Sequence, residues 1–243
     1  KKQLAQHDYK ADFYGPDITG MNAKWAQRYF DGGGAGVSCS VAFHSYNRNT
    51  DGLKAYRALG ERFKLPVWVT EQQHMPGAPP DRFEWSHAMR NALCLHDILV
   101  NCDATLSLYW CYVASSSDLL VLYIPEKKEW SPTWSMLKHF HNEIPPGSVR
   151  VAVEPTRTPA GVRSVAFLLP AKNALALILI NEGEQEQSVR LAVKGQAPKV
   201  LHVRRSDSKA RYEDVTPPAR MATEPLTFRL PAQSITSVGL GGR

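Results

Sequence analysis

The chain has 243 residues, of which 43% are hydrophobic and 21% are charged, a composition typical of a globular protein with one or two domains. Its apolar runs fall short of the roughly 20 residues of a membrane-spanning helix, and no stretch resembles a nucleic-acid-binding motif. We therefore expect neither a membrane span nor a nucleic-acid partner. Because the chain begins at Lys1 without a Met and shows no signal peptide, we also expect its true N-terminus to be missing.

The net charge of +6 is unevenly distributed along the chain. Basic and acidic residues balance up to Ser148, so the whole excess lies after that residue. Several basic residues cluster in "RRSDSKAR", from Arg204 to Arg211. A solvated, charged loop is the simplest interpretation, and a patch that attracts an acidic polymer is the alternative.

The cysteines, Cys39, Cys94, Cys102 and Cys111, show no metal-binding pattern. None forms a CxxC pair and no histidine-rich cluster lies beside them, so a zinc site is disfavoured. We predict buried thiols and leave a disulfide open, which means that cysteine use does not decide the compartment. The sequence predicts no metal and no cofactor.

Strand–helix units follow one another up to about Ser148. Short apolar runs predict the strands, and apolar residues at helical spacing, as at Leu53, Tyr56 and Leu59, predict the helices. The predicted strand and helix pairs are 11–19 with 24–30, 37–47 with 51–64, 65–71 with 82–101, and 104–110 with 131–144. Such alternation indicates a parallel sheet with helices on its faces. A closed (β/α)8 barrel needs about 250 residues, so residues 1–148 predict half of one.

A different pattern begins after the "PPG" at 145–147, where helical periodicity ends. Short strands with alternating apolar residues follow, for example at Val165, Phe167 and Leu169. Such spacing predicts an antiparallel β-sandwich over residues 149–243. The segment "LALILI", at 175–180, is apolar on both faces and is predicted to be a central strand.

Polar and aromatic side chains fall at the ends of the predicted barrel strands, where barrel enzymes place their functional residues. Glu71 ends the strand at 65–71, and period two places it on one face with Val67 and Val69. With these valines in the barrel interior, Glu71 points into the mouth. The same count brings His44 and Tyr46 to the mouth from the preceding strand and Trp110 from the following one; Gln73 and His74 follow Glu71 in the loop.

Each of these residues alone has an ordinary structural explanation, but their convergence indicates a sugar site. An aromatic ring packs on the C–H face of a sugar, and polar groups bind its hydroxyls. A Tyr hydroxyl bonded to Glu71 would hold the carboxylate ionised and oriented, as a nucleophile requires. We take Glu71 as the candidate nucleophile, and the substrate-binding candidates are His44, Tyr46, Trp110, Gln73 and His74.

The segments "VAFHSYN", "LPVWVTEQQ", "SLYW", "FHNEIPPGSVRV" and "LPAQSITSVGL" resemble the closing portion of clan A glycoside hydrolases, with family 30 the nearest match. The resemblance covers most of the chain and implies strands 5–8 of a (β/α)8 barrel followed by a β-sandwich. It also implies a retaining β-glycosidase whose nucleophile, Glu71, ends the seventh strand. His44 and Tyr46 then match the sixth strand and Trp110 the eighth. Family 30 includes xylanases, glucosidases, glucanases and glucosylceramidases, so a secreted or lysosomal-type compartment is favoured.

The family's acid/base ends the fourth strand in an Asn-Glu-Pro motif, which this chain lacks. Asn142 and Glu143 follow the last predicted helix, far from any strand end, and we reject Glu143 as the acid. The acid is therefore expected upstream of Lys1. The leading hypothesis is a retaining β-glycoside hydrolase acting on a β-linked poly- or oligosaccharide, with doubtful activity in this chain alone. A non-catalytic carbohydrate-binding or interaction protein is the alternative, and a complementary half-barrel or a second copy is a possible partner.

Overall fold

The computed structural model describes residues 6, 11–74, 83–113, 122–125, 127–154, 159–194, 199–218 and 225–241. The chain divides into two compact units, one drawn from residues 1–78 and 97–112 and the other from residues 79–96 and 113–243. The domain boundary expected after Ser148 is a different division, made along the sequence, and it stays a prediction.

The first unit contains a parallel sheet. Its strands are β1 Phe13–Ile18, β2 Ser38–Ser45, β3 Val67–Gln72 and β4 Leu106–Tyr109, adjacent in that order. Helix α1, Ala23–Asp31, follows β1, and helix α2, Thr50–Phe63, follows β2. The predicted alternation of strand and helix is therefore present, with the parallel pairing that such alternation indicates.

Helix α2 shows how the sequence builds this unit. The side chain of Asn49 caps its start by accepting a hydrogen bond from the backbone N–H of Gly52, 3.0 Å away. Leu53, Tyr56 and Leu59 are buried along one side, as their spacing predicts. The helix ends at Phe63, and the residue that caps it, Lys64, has a left-handed φ of 54° that turns the chain toward β3.

The packing of the sheet on α2 corrects one expectation. The ring of Phe43 stacks on Tyr56 with 3.8 Å between centroids, and a Cβ added to Gly60 would lie 2.6 Å from Cγ2 of Val67. Val67 therefore faces the helix, and Val69, two residues on, shares that face because β3 is extended between them. The interpretation that Val67 and Val69 fill the barrel interior is wrong.

Helix α3, Trp85–Asp97, is shorter than the predicted helix at 82–101. A π-helical turn, Ile98–Cys102, continues it. Ile98 in this turn is fully buried, whereas Leu99 is half-buried. Arg82 lies outside the described residues.

The second unit contains the sandwich and its neighbouring elements. A short hairpin, β5 Tyr123–Ile124 and β6 Glu129–Trp130, precedes helix α4, Pro132–His141. The sandwich strands are β7 Val149–Val151, β8 Val162–Leu169, β9 Ala174–Asn181, β10 Gln187–Leu191, β11 Lys199–Ser206, β12 Arg211–Asp214, β13 Leu226–Leu230 and β14 Ser234–Gly241. One antiparallel sheet has the order β12-β11-β14-β9-β8-β7, and a second pairs β10 with β13.

Two predictions about the sandwich can be compared with these strands. The central position of β9, read from its apolar character on both faces, is confirmed, because β9 lies between β14 and β8. The charged loop proposed at 204–211 is wrong: Arg204, Arg205 and Ser206 end β11, and Arg211 begins β12. Only the turn between the two strands is a loop. The charged residues can occupy paired strands because they make salt bridges and hydrogen bonds there: Arg204 contacts Asp214, and Arg205 donates to the carbonyl oxygen of Arg229.

The core of the second unit lies between its two sheets. It is made of aliphatic side chains and one phenylalanine: Val162, Leu177, Leu179, Val203, Leu226, Phe228, Leu230, Val238 and Leu240. Strand β13 alternates buried and exposed residues, as a strand with one covered face does.

No disulfide joins the cysteines, all of which lie in the described part of the chain. Cys94 and Cys102 are buried, whereas Cys39 and Cys111 are only half-buried, so the expectation of burial holds for two of them. Within the described ranges, no helix is long and apolar enough to cross a membrane.

Candidate active site

A β-bulge at the end of β3 sets the direction of Glu71. Strands β2 and β3 pair Phe43 with Val69, but the next pair is His44 with Glu71, so Thr70 is the extra residue. A bulge of this kind re-aims the side chains that follow it. The bulge brings Glu71 to the side of the sheet that His44 occupies, which is opposite to Val67 and Val69.

Two side chains lie against the same oxygen of Glu71. The hydroxyl of Tyr46 donates a hydrogen bond to Oε2, and Nδ1 of His44 lies 3.0 Å from that oxygen. No hydrogen bond from a described residue reaches Oε1. The side chain of Glu71 is 25% exposed, so one carboxylate oxygen is held and the other is accessible.

His44 faces a second carboxylate on its other side. Its Nε2 lies 3.5 Å from Oδ1 of Asp17, at the end of β1. The hydroxyl of Thr70 in turn contacts Oδ1 of Asp17 and lies 3.3 Å from the carbonyl oxygen of Phe43. Three strands thus contribute to one polar cluster around the imidazole.

Asp17 and Thr70 are the members of this cluster that the sequence analysis missed. The strand-end rule was applied to three of the four strands and not to the segment "FYGPDIT". Applied there, it indicates Asp17, because a polar residue at the carboxyl end of a parallel strand faces the same edge as Glu71. For Thr70 the sequence contains no indication, since strand alternation places it on the face opposite to Glu71 and only the bulge brings the two together.

Trp110 immediately follows β4, and its indole is 44% exposed. Its backbone N–H donates to the carbonyl oxygen of Gln72, 3.2 Å away, which fixes it beside the end of β3. Gln73 is fully buried and donates from Nε2 to the hydroxyl of Tyr109 at 2.7 Å. His74 is half-buried. The structure therefore brings Tyr46 and His44 to Glu71, and substrate contacts for Trp110, Gln73 and His74 stay predictions.

Glu143, which the sequence analysis rejected as the acid, lies in the second unit and is bound by several donors. It accepts hydrogen bonds from Tyr212 at 2.7 Å and from Arg204 at 2.9 Å, and Nε2 of His202 lies 2.7 Å away. Burial tends to raise the pKa of this carboxyl, but the hydrogen bonds and the charges around it outweigh burial and lower its pKa. A carboxyl with a lowered pKa remains ionised, which is the opposite of what a general acid requires.

A scan against protein families places residues 147–238 in the glycosyl hydrolase family 30 beta sandwich domain. No curated protein sequence matches the chain. Among solved structures, the chain is similar to the family 30 subfamily 8 xylanase Xyn30A from Clostridium acetobutylicum, at 17% identity over 99% of this chain and 58% of that one, with a TM-score of 0.80.

Two further solved structures are similar over nearly the whole chain. A family 30 endoxylanase from Clostridium papyrosolvens C71 has 17% identity over 96% of this chain and 57% of that one, with a TM-score of 0.81. The catalytic domain of xylanase C from Talaromyces cellulolyticus has 17% identity, over 99% of this chain and 55% of that one, with a TM-score of 0.77. The chain thus spans 55% to 58% of the length of these three structures.

The resemblance to family 30 is confirmed by both findings. The C-terminal part matches the family's sandwich domain in sequence, and the chain has the fold of family 30 glycoside hydrolases, an α/β sheet followed by a β-sandwich. The likeness is thus to glycoside hydrolases of clan A.

Proposed function

We propose that this chain is part of a retaining β-glycoside hydrolase that acts on a β-linked polysaccharide of the xylan type, with Glu71 as the nucleophile. The observation that carries the proposal is the double contact on Oε2 of Glu71, from Tyr46 and His44, with Oε1 accessible. A nucleophilic carboxylate has to be ionised and oriented, and the hydrogen bond that Tyr46 donates to one oxygen favours both. The xylan type comes from the three xylanases to which the chain is similar.

The proposed reaction has two steps. Oε1 of Glu71 attacks the anomeric carbon, the bond from that carbon to the leaving oxygen breaks, and a second carboxyl donates its proton to that oxygen. Water then attacks the anomeric carbon and gives a proton to the second carboxyl, which releases the sugar and restores the Glu71 carboxylate. The two carboxyls of a retaining enzyme lie about 5–5.5 Å apart, and we propose that the second one comes from outside the described residues.

The sheet of the first unit supports a related proposal. Strands β1 and β4 are its edges, and their side chains Phe13, Tyr14 and Leu108 are exposed. Parallel sheets are ordinarily covered and their edges closed. We infer that β1–β4 are strands 5–8 of a (β/α)8 barrel, completed by further chain of the same protein, by a complementary half-barrel or by a second copy. Sedimentation analysis decides against the last two if the purified protein is a folded monomer.

Covalent trapping tests the nucleophile. A 2,4-dinitrophenyl 2-deoxy-2-fluoro-β-xylobioside releases a leaving group that needs no protonation, so labelling does not depend on the acid. We expect one label per chain by intact mass spectrometry, on the peptide that contains Glu71, and no label on Glu71→Gln. A label on Glu71→Gln at the rate of the unaltered protein rules out this assignment.

A second candidate is a protein that binds a carbohydrate without turnover. It is favoured by the contacts of Glu71, which include no second carboxyl among the described residues. Calorimetric titration with xylo-oligosaccharides separates the two: binding without trapping supports the second candidate, and trapping on Glu71 supports the first.

A further inference from the structure

The loop that carries Tyr46 is tied to the end of helix α3 by an ion pair. We propose that Arg48 and Asp97 are positioning residues, which hold this loop so that the hydroxyl of Tyr46 donates to Oε2 of Glu71. The proposal deepens the proposed function and rests on it only in treating Glu71 as the reacting group. It adds a role for two residues that lie 49 positions apart in the chain.

The β2–α2 loop, residues 46–49, has the sequence "YNRN" and joins the end of β2 to the start of α2. Asn47 and Asn49 are exposed, and Tyr46 is half-buried. Burial of apolar side chains therefore contributes little to fixing this loop, and segments with few buried apolar contacts open most readily. The position of the loop depends on its polar contacts.

Hydrogen bonds between residues close in sequence set the local shape of the β2–α2 loop. Oδ1 of Asn47 accepts from the backbone N–H of Asn49 at 3.1 Å, and Oδ1 of Asn49 accepts from that of Gly52 at 3.0 Å. The hydroxyl of Ser45 donates to the carbonyl oxygen of Asn47 at 3.4 Å. Asparagine and serine side chains commonly shape turns in this way. These contacts span two or three residues, so they act locally.

Arg48 supplies a tie to a distant element. Its Nε–H donates to Oδ2 of Asp97 at 2.7 Å, and both residues belong to the first unit. A hydrogen bond between a guanidinium and a carboxylate is about twice as strong as one between neutral groups. The side chain of Asp97 is only 7% exposed, so water competes little for its oxygen.

Asp97 lies on a part of the chain that is itself firmly packed. It ends α3, and the π-helical turn that follows it begins with Ile98 and ends with Cys102, both fully buried. This turn packs against α2. The ion pair therefore connects the loop to a buried helix end, two residues after Tyr46. Such a tie matters because misplacing a group by about 1 Å can reduce a rate on the order of a hundredfold.

The first test observes Tyr46 directly. Spectra of protein labelled with ¹³C at the ζ carbon of tyrosine report the surroundings of each hydroxyl, and Tyr46→Phe assigns the signal of Tyr46. In Asp97→Ala we expect this signal to move toward that of a tyrosine in water, because the partly exposed Arg48 can turn to solvent and release the loop. Asp31→Ala is the matched control, since it removes the carboxylate of a second pair at 2.7 Å, Arg62 with Asp31, and should leave the signal in place.

The opposite result is equally clear. A Tyr46 signal that is the same in Asp97→Ala as in Asp31→Ala overturns the proposal. Backbone amide spectra check that each variant folds. If Asp97→Ala does not fold, Asp97→Asn decides, since it keeps the shape of the side chain and removes its charge. A smaller shift in the same direction then supports the proposal, and no shift overturns it.

The second test measures the reaction. With the fluorinated xylobioside, we expect Asp97→Ala to lower the rate constant of labelling about tenfold, because Tyr46 is then misplaced. The inhibitor concentration at half-maximal rate should stay unchanged, and a change in that concentration alone would contradict a positioning role. If the unaltered protein is not labelled, the proposed function fails, while the ¹³C signal of Tyr46 still decides the role of Arg48 and Asp97.

A double-variant cycle separates positioning from a general loss of stability. In a Tyr46→Phe background, Asp97→Ala should leave the rate constant of labelling unchanged, because the hydrogen bond through which Asp97 acts is already absent. An equal loss of rate in both backgrounds would show that Asp97 does not act through Tyr46.

Discussion

The hydroxyl of Tyr46 donates its hydrogen bond to Oε2 of Glu71, although the two residues lie 25 positions apart in the chain. The parallel pairing of His44 with Glu71 makes this contact possible, because Tyr46 follows β2 on the side to which the bulge turns Glu71. A tyrosine and a carboxylate that are distant in sequence thereby form one unit. The predictions below begin with this pair.

Tyr46→Phe should slow covalent labelling of Glu71 by about 10- to 100-fold. A hydrogen bond to a charged group contributes about 1.5–3 kcal/mol, and each 1.4 kcal/mol is about a factor of ten in rate. Tyr14→Phe is the control, because Tyr14 lies half-exposed on β1, packed against Trp68, and should leave the rate unchanged. Equal rates in Tyr46→Phe and the unaltered protein would show that the contact does not assist the reaction.

Trp110→Ala should weaken the binding of xylo-oligosaccharides by about threefold to tenfold, because stacking on an aromatic face contributes about 0.5–1.5 kcal/mol. The thermal midpoint should change little, since Trp110 is 44% exposed and is not part of the buried core. Trp25→Ala, on the exposed side of α1, removes an indole of similar exposure as the control. Calorimetric titration provides the affinities, and an unchanged affinity in Trp110→Ala excludes it from the sugar site.

Glu143→Gln should destabilise the protein by about 2–3 kcal/mol. Breaking a buried ion pair costs about 3–5 kcal/mol, and the cost is lower here because the side chains of Arg204 and His202 are each 31% exposed and can bind water. Glu186→Gln, at an exposed site, is the control. Urea unfolding measures the difference, and equal midpoints for the two variants would be incompatible with a stabilising cluster.

The free energy of unfolding should fall as the pH is lowered from about 6.5. Burial, together with the charge of Arg204, lowers the pKa of His139 from 6.5 to about 3. Between these values the unfolded chain binds a proton that the folded chain does not, so stability is lost as pH falls, by about 1.4 kcal/mol per pH unit. Glu143, with its lowered pKa, adds a loss of the same sign below its ordinary value of 4.5.

Urea unfolding at a series of pH values measures this slope. Gln at position 139 does not titrate. In His139→Gln the free energy of unfolding should therefore fall less steeply between pH 6.5 and 5, by about 1.4 kcal/mol per pH unit, which corresponds to one proton. His87 and His141 also have lowered pKa values because of burial, and they maintain part of the slope in that variant. Stability that stays constant from pH 7 to pH 5 would contradict the prediction.

Gly60→Ala should cost about 1–3 kcal/mol, the usual range for overpacking. The added Cβ would lie 2.6 Å from Cγ2 of Val67 and 2.9 Å from the carbonyl oxygen of Leu65, at the closest approach of α2 to β3. Gly36→Ala is the control, because a Cβ there meets nothing within 4 Å. Thermal unfolding of both variants provides the comparison. A midpoint for Gly60→Ala at or above that for Gly36→Ala would show that Val67 and Leu65 move aside at no cost in stability.

Local sequence periodicity predicts much of the fold. Helix α2 begins after a capping Asn49 and buries the residues at helical spacing, and β13 buries alternate residues, because these patterns express the geometry of a single element. The charged strand β12 was not predicted, since its charges are compensated by partners on the neighbouring strand, such as Asp214 paired with Arg204. Strand pairing overrides local polarity there.

The candidate site, like the fold, is predictable from the sequence only in part. The sequence by itself determined that Glu71, His44 and Tyr46 stand at strand ends, because strand ends and period two are local properties. Only the tertiary structure decided which way Glu71 points: the valines on β3 pack on α2, and the bulge at Thr70 reverses the alternation. It also decided that Asp17 reaches His44, since parallel neighbours are brought together by the hydrogen bonds of the sheet and not by proximity in the chain.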